Sequence, residues 1–141
     1  MTKQSLSHTS RALALAATLT LTLTLTGIAP AFAANMDVRF ANTVEGLRAD
    51  ETKIKLLFNA DKTFTGTAKP HGGFLSFDFS GTWRLDGNKL CVLQTEGRGK
   101  NLNIEKCDPL QGDKIGDTWK VMVSDQDDKQ VEQTMTIIEG R

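Results

Sequence analysis

The chain has no tyrosine, three prolines, two cysteines and two histidines, and its 17 lysines and arginines are matched by 17 acids. Each scarcity removes a class of function. Without net charge there is no field to gather nucleic acid or an anionic surface. The missing tyrosine argues against a tyrosine-rich recognition surface. His71 is the only histidine after residue 33, so a zinc centre lacks its nitrogen ligands. No C-x-x-C is present and no base is placed to lower a thiol pKa, which removes thiol redox chemistry. No long stretch carries helical periodicity, which removes helical bundles.

What is present begins with a leader. Lys3 and Arg11 precede an uncharged run, 12–28, and Ala31-Phe32-Ala33 fits a small-x-small cleavage pattern. Residues 1–33 therefore read as a secretory signal peptide, cut after Ala33, and 34–141 as a single β-domain. An uncleaved anchor is the competing reading. The run is as short as a membrane span can be, is rich in threonine and leads straight into a cleavage site. After cleavage no membrane span is expected, and no cysteine stands at the end of the run to carry a lipid. Loss of Lys3 and Arg11 leaves two fewer bases than acids. Cys91 and Cys107 both fall in the exported part and are expected to form a disulfide, placing the protein in the periplasm or outside the cell. Chain-entropy estimates give a loop of that size about 3 kcal/mol.

Turn signals recur about every 8 to 12 residues in the part after the leader, the pattern of an antiparallel all-β domain. Val38, Phe40 and Val44 alternate with Arg39, Thr43 and Glu45 as a first strand. Ile54, Leu56 and Phe58 form a second. Asn59-Ala60-Asp61-Lys62 is a polar turn. Thr63 to Ala68 is a strand interrupted by Gly66, a bulge or a close backbone approach. Lys69 to Gly73 is a loop, and Phe74 to Phe79 a strand with Leu75, Phe77 and Phe79 on one face. Trp83 and Leu85 continue that face unless Ser80-Gly81 bulges. Asp86-Gly87 signals a type I′ hairpin turn. Leu90 to Gln94 and Leu102 to Lys106 pair around a loop centred near Gly99, which puts Cys91 opposite Cys107, while leaving open which face is buried. Trp119, Val121 and Val123, then Val131, Met135 and Ile137, supply the last two strands. Eight or nine short strands predict a small antiparallel meander, an up-and-down barrel flattened or partly open, because closure removes sheet edges. A β-sandwich is the alternative.

Residues that could carry chemistry are few. No serine sits in a G-x-S-x-G elbow. Asp125-Gln126-Asp127-Asp128 starts like a calcium loop but continues with Lys129 and Gln130, where a ligand and a glycine belong. Nothing marks a carboxylate pair. Gly97-Arg98-Gly99-Lys100 is either an anion-binding loop or a charged hairpin tip.

Asn59-Ala60-Asp61-Lys62-Thr63-Phe64, Gly81-Thr82-Trp83, Leu90-Cys91, Cys107 and Gly116-Asp117-Thr118-Trp119 follow one another in that order. This series resembles a loose group of short exported bacterial proteins of unassigned function, patterned N-x-D-G-T-[FY], G-T-W, L-C, C, G-D-x-W, with Lys62 here in place of the usual glycine. The resemblance implies an exported β-domain and carries over no catalytic residue. It stops short of the lipocalins proper, whose G-x-W precedes the barrel strands.

The expectation is thus a periplasmic or secreted binding domain without enzymatic activity, cofactor or metal. A small apolar ligand would sit in the barrel mouth against Phe77, Trp83 and Trp119. The alternative is a protein-interaction module, such as an inhibitor of an envelope hydrolase, presenting loop 69–73 or 95–101 with His71, Arg98 and Lys100.

Overall fold

The computed structural model describes residues 36–99, 101–125 and 127–141. The signal peptide assigned to 1–33 and the loop residue Lys100 lie outside the described residues. A single helical turn, α1 (Asp37–Phe40), precedes eight strands: β1 (Thr43–Arg48), β2 (Lys53–Phe58), β3 (Thr63–Lys69), β4 (Phe77–Asp86), β5 (Lys89–Glu96), β6 (Glu105–Pro109), β7 (Thr118–Ser124) and β8 (Gln130–Ile138). All pairings are antiparallel, in the order β6-β5-β4-β3-β2-β1-β8-β7. Because β8 returns to β1, the meander curls into a nearly closed barrel whose one unsealed seam lies between β6 and β7. β6 is the short lip of that seam and ends in Pro109, which has no N–H to offer a further strand.

The strands run alternately between two ends. One end carries α1, the turns after β2 and β4, the long connection 110–117 and the C-terminal residues. The other carries the connections 49–52, 70–76, 97–104 and 125–129. The buried cluster of Val44, Phe58, Phe64, Trp83, Met135 and Ile137 belongs mainly to the first end. Its rings interlock: Phe58 meets Phe64 at 5.9 Å between centroids and Trp83 edge-on at 6.4 Å, while Phe40 of α1 lies 5.7 Å from Trp83. Full burial of such a side chain contributes about 1.5–3 kcal/mol, and each ring pair about 0.5–1.5 more.

Several sequence expectations change. Val38 and Phe40 sit in α1 rather than in a first strand. Asn42 donates its amide to the Val38 carbonyl at 2.7 Å and accepts from Gly140 N–H, bonds that hold a turn where the alternation pointed to extended chain. The hairpin between β4 and β5 turns on Gly87-Asn88, since Asp86 pairs with Lys89. Only Gly87 has a positive φ there, +60°, which is the type II′ pattern rather than I′. Phe74 and Leu75 lie in the loop, and the strand starts at Phe77. The bulge falls on β5, not β4: Ser80 faces Glu96 and Gly81 faces Gln94, leaving Thr95 extra. Gly81 is needed because a Cβ there would meet the Leu93 carbonyl oxygen at 2.0 Å. β6 starts at Glu105, three residues later than the alternation predicted, but the register that sets Cys91 against Cys107 is the expected one.

Candidate functional site

The hydrophobic cluster fills the end of the barrel beside α1 and leaves the rest of the interior unfilled. The result is a cavity of about 910 Å³. Strand alternation decides its walls. From β2, β4, β5 and β7 come Leu56, Phe77, Phe79, Val92, Trp119 and Val121. The face of the β5–β6 hairpin left open by the sequence is thereby assigned: Leu90 and Val92 look inward. Cys91 and Cys107 lie on the outer face, joined by a disulfide with Cα atoms 3.9 Å apart. Arg84 covers the bridge from outside with two 2.8 Å bonds to the Glu105 carboxylate. Those bonds hold Glu105 below the usual carboxylate range and push the arginine up. The disulfide fits an oxidising, exported environment. Cys91, Glu105 and Cys107 also form the one group of three potential metal ligands among the described residues, but both sulfurs are spent on the bridge.

Glycines shape the wall. Gly66 pairs with Phe79, and a Cβ on it would stand 2.3 Å from the Phe79 ring; the ring lies over the glycine and edge-on to Phe64. Gly66 therefore marks a close approach, not a bulge. Gly46 likewise vacates space for Gln133, whose amide nitrogen would be 2.6 Å from a Cβ there.

The floor is built from arginine. Arg39, only 1 % exposed, leaves α1 and donates to the carbonyls of Gln111 and, at 3.1 Å, Gly112. Its guanidinium also stands 5.4 Å from the centre of the Trp119 ring. Burial lowers its pKa, while Asp113 opposes the shift. Arg141 ties the same end by donating to the Phe40 carbonyl at 2.8 Å and to the Asn59 side chain at 2.6 Å.

Polar groups gather higher in the cavity. Arg48 donates from Nε to Oε1 of the buried Gln133 at 3.1 Å. Gln94 and Lys106 add two more polar side chains, and Arg98 lies 5.7 Å from the Phe77 ring at the rim. A lumen with an apolar base and a few donors near its opening can seat an apolar molecule that carries a polar end.

The three aromatic residues singled out in the sequence separate. Phe77 and Trp119 line the cavity. Trp83 does not: it is 3 % exposed within the packed end, donates Nε1–H to the Asn59 carbonyl at 2.9 Å, and carries the Lys62 ammonium 4.0 Å from its ring centre. Lys62 accepts a φ of +71° in this turn, where the group pattern has glycine. Of the loop residues, His71 Nδ1 lies 2.6 Å from a Glu51 carboxylate oxygen and Arg98 reaches the cavity rim. Sequence reasoning missed Arg39, Arg48 and Gln133. Arg39 lies where alternation signals a polar outer face; Arg48 shares the inward parity of Val44, and Gln133 that of Met135 and Ile137, but their polar side chains hid that parity.

No protein-family model, curated protein or solved structure matches the chain.

Proposed function

We propose that this is an exported, non-enzymatic binding domain, acting in the periplasm or outside the cell, that carries a small apolar ligand inside its barrel. The observation that supports it is the cavity of about 910 Å³. Drug-sized ligands occupy sites of roughly 300–1,000 Å³, mostly apolar with a few placed polar groups. A structural barrel of this size has a reason to fill its lumen, since unfilled apolar space forfeits dispersion contacts on every lining side chain. Here the aromatic cluster stops part-way. Val92, Val121 and Trp119 line the space that remains. Ligand entry is through the end away from α1, because Arg39 and the 110–117 connection obstruct the other.

The test is a fluorescence titration with N-phenyl-1-naphthylamine, an uncharged apolar probe. Saturable binding of one probe per chain, lost in Val92→Trp and Val121→Trp, is the expected result. An unsaturable response, or one indifferent to both fillers in variants that remain folded, would overturn the proposal.

A further inference from the structure

The rim of the open end is unevenly made. Its four connections follow one another around the barrel as 49–52, 70–76, 97–104 and 125–129. Two neighbouring ones are acidic, with Asp50 and Glu51 in the first and Asp125, Asp127 and Asp128 in the last. The other two carry the apolar tips. Phe74 is 102 % exposed and Leu75 71 %, with Leu102 and Ile104 also exposed on the next connection beside Arg98. Leu85 and Ile115 are the only large exposed apolar side chains toward the α1 end among the described residues.

The wall below Phe74 adds a second observation. Register places Leu47, Lys53 and Lys69 side by side on β1, β2 and β3 at the same end of the barrel. All three are exposed. Like charges directly opposite on neighbouring strands disfavour the sheet. Neither lysine has a carboxylate partner among the described residues. An external anion would relieve the repulsion that the fold leaves in place.

From these two features we propose that the 70–76 side of the open rim docks on an anionic lipid bilayer. Phe74 and Leu75 enter the acyl boundary, Lys53 and Lys69 meet lipid phosphates, Glu51 is held by His71, and Asp125, Asp127 and Asp128 across the rim stay in water. Two projecting side chains offer too little area for a specific protein interface, which takes about 800 Å² per partner. They suit reversible interfacial binding, where buried apolar area and nearby bases act together. Docking in this pose sets the barrel opening against the phase in which an apolar ligand dissolves. The inference thus extends the ligand reading but rests on the rim alone.

The experiment is flotation with vesicles of mixed phosphatidylglycerol and phosphatidylcholine, and with phosphatidylcholine alone. It uses protein expressed from the full chain and recovered as the cell processes it. Binding to the anionic vesicles should fall at least about tenfold in Phe74→Ser/Leu75→Ser. It should fall at least about thirtyfold in Lys53→Glu/Lys69→Glu, with little change on the neutral vesicles. Leu85→Ser/Ile115→Ser, at the other end, should bind like the parent. Circular dichroism confirms that each variant is folded. Absent binding, binding indifferent to lipid charge, or equal binding by the Phe74/Leu75 variant would overturn the proposal. So would a Phe74-dependent stoichiometric protein complex formed without vesicle binding. The probe titration in vesicle-free buffer reports on the ligand reading separately, so the two can fail independently.

Discussion

Arg39→Met is the substitution that most sharply separates a barrel closed by its first helical turn from one merely decorated by it. Methionine keeps much of the apolar stem, so the change removes mainly what the guanidinium does. It deprives the Gln111 and Gly112 carbonyls of their donor and removes the cation from the Trp119 ring. A carbonyl left without a partner in a buried place costs about 1–3 kcal/mol. Loss of the cation–ring contact costs about 0.5–2 kcal/mol. Gln111 is exposed, so water replaces part of the first loss, and the expected destabilisation is about 2–4 kcal/mol. Urea denaturation followed by far-ultraviolet circular dichroism measures it. With slopes of about 1–3 kcal/mol per molar for a small domain, the midpoint should drop by roughly 1–2 M. Amide exchange should accelerate first in 110–117, the segment released from α1. The solvent-facing Arg84→Met should do less, because its pair with Glu105 is screened. A loss for Arg39→Met under about 0.5 kcal/mol, with 110–117 exchange unchanged, would refute the strapped floor.

Three further outcomes follow from the same geometry. Cys91→Ser/Cys107→Ser should lower stability by about 2–5 kcal/mol, with β6 the strand that gains exchange most, since β5 is its only neighbour. An unchanged unfolding midpoint would contradict this. Gly66→Val should cost roughly 1–3 kcal/mol or more by displacing the Phe79 ring, seen as a shifted aromatic resonance and reduced probe binding; an undisturbed Phe79 would count against the wall as described. The Thr52 backbone N–H holds Asp50 below the usual carboxylate range, and the Thr63 hydroxyl and N–H do the same for Asp61. A carboxyl whose folded pKa is depressed stabilises fully above its unfolded pKa and loses that contribution as pH falls through the folded value. Acid unfolding should therefore be shallower in Asp50→Asn/Asp61→Asn, as tracked by unfolding midpoints across an acid series, and a parallel pH dependence would argue against these two turns.

Much of the strand pattern was legible because one face of each strand is apolar and the connections are short. Trp119-Val121-Val123 alternates as β7 does, and the cysteine register follows from a loop centred near Gly99. What alternation could not see was long-range. Val38 and Phe40 carry the right spacing for a strand, yet Asn42 folds them into α1 through bonds that include Gly140, at the far end of the chain. The exact hairpin turn escaped because Asp-Gly and Gly-Asn both favour tight turns, and the choice depends on how Asp86 and Lys89 pair. The candidate site was half visible. Phe77 and Trp119 read correctly as inward residues. Trp83 follows the same alternation, but the Phe40 and Phe58 rings close over it. Depth along a barrel axis is a property of the assembled sheet, and a single strand does not encode it.

The two tryptophans make the cavity directly measurable. A brominated alkane, an apolar heavy-atom quencher, is titrated into Trp83→Phe, which leaves Trp119 as the only indole, and into Trp119→Phe, which leaves Trp83. Saturable quenching of Trp119 with Trp83 nearly unaffected is the predicted result. Equal quenching of both, or none of Trp119, would contradict an apolar chamber reached from the open rim.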